Sequence, residues 1–111
     1  MFKINVGDRQ YDMEFTRDSI RQFESMGGNI TDMREKIYNS TDLMFAVGLA
    51  KHNPTINPNL AKKISDAAID EYGIDGIYPV LAEKFMEVFS QAGTKPAGKS
   101  FLVVTPKSKT L

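Results

Sequence analysis

The residues able to do chemistry are few and scattered. His52 is the only histidine of the chain. It stands beside Lys51 where an apolar run ends, a position suited to meeting the last carbonyls of its own helix rather than to ligating a metal. Asp66 and Asp70 lie one helical turn apart, as paired carboxylates or divalent-cation ligands would. No third ligand follows on that face and Lys62 and Lys63 adjoin it, so the pair reads as a solvated acidic edge. Ser19, Ser25 and Ser65 have no neighbouring histidine, which leaves nucleophilic catalysis without a base. The chain has no cysteine, and thiol catalysis, thiolate metal sites and disulfides go with it. Gly73 and Gly76 do not follow a strand in a Gly-Lys-Ser/Thr pattern, so they make no phosphate loop. These residues predict a chain that is not an enzyme, with no catalytic, cofactor-binding or metal-binding residues and no cofactor.

The elements that would carry any other function can be read from periodicity. Phe2, Ile4 and Val6 alternate with Lys3 and Asn5, and Tyr11, Met13 and Phe15 alternate with Asp12 and Glu14, which is the pattern of a β-hairpin. A four-residue loop at 7–10 sets Val6 opposite Tyr11, Ile4 opposite Met13 and Lys3 opposite Glu14, matching apolar with apolar and opposite charges with each other. A two-residue loop at Gly7-Asp8 keeps the same faces but puts Val6 opposite Arg9. The longer loop is the expectation.

Thr16 is a good N-cap, Asp18 suits the first helical turn, and Phe15 and Ile20 have the spacing of a hydrophobic staple, so a first helix should run from Arg17 to about Met26 and stop at Gly27-Gly28. Residues 29–40 fit either a short helix or an irregular crossing. Next comes Leu43-Met44-Phe45-Ala46-Val47-Gly48-Leu49-Ala50, capped by Ser40 or Thr41 and apolar on every side. Such a helix must be covered all round, by neighbouring elements or by other copies of the chain, since it is far short of the roughly 20 residues that span a bilayer. Asn57-Pro58 begins another helix, with Leu60, Ala61, Ile64, Ala67, Ala68 and Glu71 on one side. A last helix from about Ile77 to Ala92 carries the stripe Ile77, Leu81, Phe85, Val88 and Phe89. A helix-turn-helix reading of residues 60–89 fails, because its second helix would begin Asp75-Gly76-Ile77-Tyr78-Pro79 with Lys84 as its only base. A helical hairpin filling the core is the better reading.

The fold class is therefore α+β, mainly α: an N-terminal β-hairpin, about four helices, and a short flexible or β-prone C-terminal tail. Residues 1–92 form one domain and residues 93–111 a basic tail. Phe101-Leu102-Val103-Val104 in that tail is a strand or a segment awaiting a partner. Charge divides in the same way. The 14 basic and 14 acidic residues balance, but Lys95, Lys99, Lys107 and Lys109 all fall in the tail, so residues 1–93 carry 10 basic against 14 acidic groups. A balance of this kind argues against a protein whose main task is neutralising phosphates. The start Met1-Phe2-Lys3-Ile4-Asn5 lacks the apolar core of a signal peptide, so the expected location is the cytoplasm, and the sequons at Asn29 and Asn39 read as accidental.

Two stretches carry a family resemblance. Tyr11-Asp12-Met13-Glu14-Phe15-Thr16-Arg17-Asp18-Ser19-Ile20-Arg21, and the apolar helix running into Leu49-Ala50-Lys51-His52-Asn53-Pro54-Thr55-Ile56 with an Ala- and Ile-rich helix after it, resemble the tail assembly chaperones of long-tailed phages infecting Gram-positive bacteria. The resemblance covers about residues 1–92, and its motifs are structural. It implies a protein of the host cytoplasm that associates with itself, coats the tape-measure protein before tail-tube polymerisation, and gives way as tube subunits arrive. Its partners would be further copies, the tape-measure protein and the tail-tube protein, with neither membrane nor nucleic acid. It also implies a longer product made by frameshifting. Read together with the apolar helix and the tail, it places protein interaction at Leu43, Met44, Phe45, Val47, Leu49, Phe101, Leu102 and Val103. The alternatives are a generic small oligomeric adaptor or structural protein and, from the helical hairpin, a nucleic-acid-binding regulator.

Overall fold

In the computed structural model the described residues are 1–93; of the predicted tail 93–111 only Gly93 is among them, and Phe101, Leu102 and Val103 lie outside. Two strands and four α-helices follow in order: β1 (Phe2–Val6), β2 (Arg9–Met13), α1 (Arg17–Ser25), α2 (Ile37–Ala50), α3 (Pro58–Tyr72) and α4 (Ile74–Gly93). A short 3-10 turn at Ile30–Asp32 stands between α1 and α2. No helix among the described residues is long and apolar enough to cross a membrane.

The hairpin forms with the shorter loop. Val6 pairs with Arg9, Ile4 with Tyr11, Lys3 with Asp12 and Phe2 with Met13, so only Gly7 and Asp8 turn the chain. Gly7 adopts φ +64, the left-handed conformation that tight hairpin turns require and that glycine accepts without strain. The expected four-residue register does not form: with Gly7 left-handed two residues suffice for the turn, and Val6 is buried while its partner Arg9 stays exposed. Lys3 consequently bonds Asp12 at 2.6 Å instead of Glu14. Glu14 is left free to reach the helices.

Helix α1 starts and stops where its sequence signals lie. Thr16 and Ser19 form a capping box, each side chain bonding the other's backbone N–H. At the other end Gly28 N–H bonds the Phe23 carbonyl and Gly27 N–H the Glu24 carbonyl, with Gly27 at φ +98, which closes a Schellman motif. Residues 29–36 are irregular. The expected caps of α2 do not act as caps: the helix begins at Ile37, a turn earlier, and the Ser40 and Thr41 hydroxyls bond backward to the carbonyls of Met33 and Ile37. A hydroxyl inside a helix can satisfy itself in this way, so neither residue has to mark the start.

Helix α2 is central and touches α1, α3, α4 and β2. Leu43, Met44, Phe45, Val47, Gly48 and Leu49 are buried within this one chain, which covers most of the helix circumference, while Ala46 is half-buried and Ala50 exposed on the remaining face. Gly48 has a specific task. A Cβ there would stand 2.7 Å from Met13 Cε and 2.8 Å from Phe15 Cε1, so its absence lets the end of the hairpin close on the helix.

Asn57 caps α3 through its side chain, with Pro58 in the first turn. Its buried face is Ala61, Ile64, Ser65 and Ala68, whereas Leu60 and Ala67, expected inside, are exposed. The difference is a small rotation of the helix that buries Ser65, whose hydroxyl bonds Asp42 of α2 at 2.6 Å. Gly73, at φ +77, ends α3, and its carbonyl accepts from Gly76 and Ile77 at the start of α4. One residue therefore joins the two helices, and α4 begins three residues before the expected Ile77. Pro79 is tolerated close to the helix start, where it is exposed and removes a single backbone bond. Ile77, Leu81 and Phe85 face the core and Val88 is half-buried; the side chain of Phe89 lies outside the described part.

Candidate functional site at the hairpin–helix junction

Polar side chains converge where the end of β2 meets the end of α2. Phe15 turns inward beyond β2 and sends the preceding Glu14 outward, where its backbone N–H bonds the Gly48 carbonyl at 3.0 Å. Lys51 and His52 follow the last turn of α2. The Glu14 carboxylate holds both, one oxygen 3.2 Å from Lys51 Nζ and the other 2.8 Å from His52 Nε2. Asn53 completes the joint by donating through Nδ2 to the carbonyls of Asp12 at 2.8 Å and Leu49 at 2.9 Å.

His52 was expected to meet the carbonyls of its own helix. That role belongs to Asn53, while His52 crosses to a carboxylate 38 positions away. Sequence reasoning missed Glu14 and Asn53 altogether. The four-residue loop assigns Glu14 to Lys3; once the shorter loop gives Lys3 to Asp12, Glu14, just beyond β2, is the carboxylate without a strand partner.

Electrostatics follow from this geometry. The His52 bond, then the Lys51 bond, holds the Glu14 carboxyl below its ordinary value of 4.5, partly opposed by burial. The Lys3 bond does the same for Asp12, from 3.8. A carboxyl depressed in the folded state contributes stability above its unfolded value and loses it as pH falls through the folded one. Glu14→Gln should therefore melt below wild type at neutral pH, with the gap closing as pH drops below about 4.5. Thermal melts of both proteins from pH 7 to pH 3 check this. A gap that stays constant across that range would show that Glu14 acts through packing rather than charge.

The three serines singled out from the sequence are engaged elsewhere. Ser19 bonds Thr16, Ser25 the Gln22 carbonyl and Ser65 Asp42, so none stands against the His52–Glu14 pair. Asp66 and Asp70 are exposed, with Lys62 3.8 Å from Asp66. Among the described residues no group of three His, Asp or Glu could hold a metal ion. Lys84, the one base of α4, lies 5.8 Å over the ring of Phe2.

Leu43, Met44, Phe45, Val47 and Leu49, expected to offer an interaction surface, are interior residues. They are placed there because α1, α3, α4 and β2 surround α2, an arrangement of distant segments that an apolar run alone does not disclose. Apolar surface is found elsewhere: Met26, Tyr38, Leu60, Tyr72 and Val80 are exposed. Leu60 borders a cleft of about 480 Å³ beside the junction, lined also by Arg9, Tyr11, His52 and Ile56. Comparison with family models, with curated proteins and with solved structures finds no match.

Proposed function

We propose that this chain is a non-catalytic assembly protein of the phage tail chaperone type. It binds the elongated tape-measure protein in the host cytoplasm, keeps it soluble before tube polymerisation, and is displaced as tube subunits arrive. The observation that carries the reading is the junction. The two stretches that resemble the family, residues 11–21 and 49–56, are fastened to each other through Glu14–His52, Glu14–Lys51 and Asn53–Asp12. Residues that resemble a family's pattern and bond one another across the fold are more telling than either stretch alone.

A chaperone for a long helical client needs apolar surface that it can offer and withdraw. Tyr38, Leu60, Tyr72 and Val80, spread over three helices outside the core, supply such surface in small pieces. Contacts of this size give modest affinity per copy, and strength comes from many copies along one client.

The test is co-expression with the protein of several hundred residues or more encoded beside it, with and without any frameshifted longer form. The expected result is a soluble client carrying many copies of this chain. If the tape-measure protein is equally soluble without it, and tails assemble normally in its absence, the chaperone reading fails and that of a generic adaptor replaces it.

A further inference from the structure

A sheet of two strands has two edges, and each strand supplies one. The two-residue turn makes Val6 and Arg9 the hydrogen-bonded pair beside it. Antiparallel alternation then turns the backbone groups of Lys3 and Asn5 away from β2, and those of Gln10 and Asp12 away from β1. Outward rows of this kind are templates for another strand.

Side chains from distant helices and loops occupy two of these groups, the Asn5 and Asp12 carbonyls, and the adjoining Gly7 N–H. Tyr72 Oη donates to the Asn5 carbonyl at 2.5 Å, and Glu71 Oε1 accepts from the Gly7 N–H at 2.8 Å, both from the last turn of α3. On the opposite edge Asn53 Nδ2 takes the Asp12 carbonyl. Tyr72 and Glu71 are exposed, so burial does not force them onto the strand. The contacts are made by their polar atoms.

We propose that Tyr72, Glu71 and Asn53 are edge guards that close the hairpin to strand addition, and that the strand they exclude is β1 of a second copy. β1 is complementary to itself. Antiparallel pairing about Ile4 would set Lys3 against Asn5 and Phe2 against Val6, so no like charges meet and the apolar face continues across the pair. The β1 edge is also the one that can open. Its guards are two side chains at a helix end, whereas the β2 edge is backed by the backbone bond from Glu14 to Gly48. The inference does not depend on the client reading, since self-association through helices would leave it intact.

The test is the double variant Tyr72→Phe with Glu71→Ala, which keeps the ring and removes both guarding groups at β1. By circular dichroism it should remain folded. In sedimentation it should associate at about tenfold lower concentration than wild type, the effect on an equilibrium of roughly one net hydrogen bond. Adding Lys3→Pro, which deletes an outward N–H from the same edge, should reverse that association. A folded double variant that sediments as wild type at every concentration overturns the proposal, and so does association that Lys3→Pro leaves unchanged. Should the double variant not fold, Tyr72→Phe alone is read by the same two outcomes.

Discussion

Phe45→Glu should abolish the fold at every protein concentration. Phe45 is fully buried at the centre of α2, enclosed by elements of its own chain. The substitution removes an aromatic side chain, at about 3–5 kcal/mol, and places a carboxylate in an apolar site, which costs several kcal/mol more even after relaxation. A domain of this size has only about 5–15 kcal/mol in all. Far-UV circular dichroism and a thermal melt measure the outcome. A cooperative melt from a soluble, folded monomer would instead mean that the all-round apolar helix is covered by other copies. Leu60→Glu is the control. Leu60 is 44% exposed, and its replacement should leave stability within about 0.5 kcal/mol.

That contrast marks the boundary of what the sequence discloses here. An apolar octet says that a helix is buried but not by what, and the answer lay in Phe23, Ile64, Leu81 and Met13, from four separate segments. The hairpin shows the same limit. Alternation gave its faces, yet both loop lengths preserve those faces, and the register was settled by the left-handed Gly7 and the exposure of Arg9. Helix α1 was legible at both ends because its signals are local: a Thr16 cap and a Gly27-Gly28 stop act within a few residues of themselves. The start of α2 was not, since Ser40 and Thr41 look like caps and bond backward instead. At the junction, the expectation that His52 meets the last carbonyls of α2 fails: Asn53 bonds the Leu49 carbonyl and His52 bonds Glu14. The partner that draws His52 away stands on the hairpin, out of reach of any local pattern. Glu71 is the most instructive case. It fell on the inner stripe of α3, where a carboxylate is out of place among alanines, and the Gly7 N–H that accounts for it lies 64 positions back.

Phe85→Ala should lower stability by about 3–5 kcal/mol, the upper range for emptying an aromatic site in a core. Phe85 is fully buried on α4 and meets two other rings, Phe15 edge-on at 5.2 Å and Phe23 of α1 at 4.8 Å. Aromatic pairs in these arrangements contribute about 0.5–1.5 kcal/mol each beyond the area they bury. The three rings link the end of the hairpin, α1 and α4, so the cavity left by alanine has rigid neighbours that cannot collapse into it. Phe85→Leu separates the two contributions: it retains most of the buried volume, loses both ring contacts, and should cost clearly less than alanine. Denaturant midpoints of wild type and the two variants give the comparison, with an unchanged slope showing that the folded states are equally compact. If alanine proved no worse than leucine, ring contacts alone would account for the loss and the site would be able to close around a smaller side chain. A midpoint unmoved by either substitution would remove Phe85 from the core, and with it the stripe of α4 that joins the hairpin to the helices.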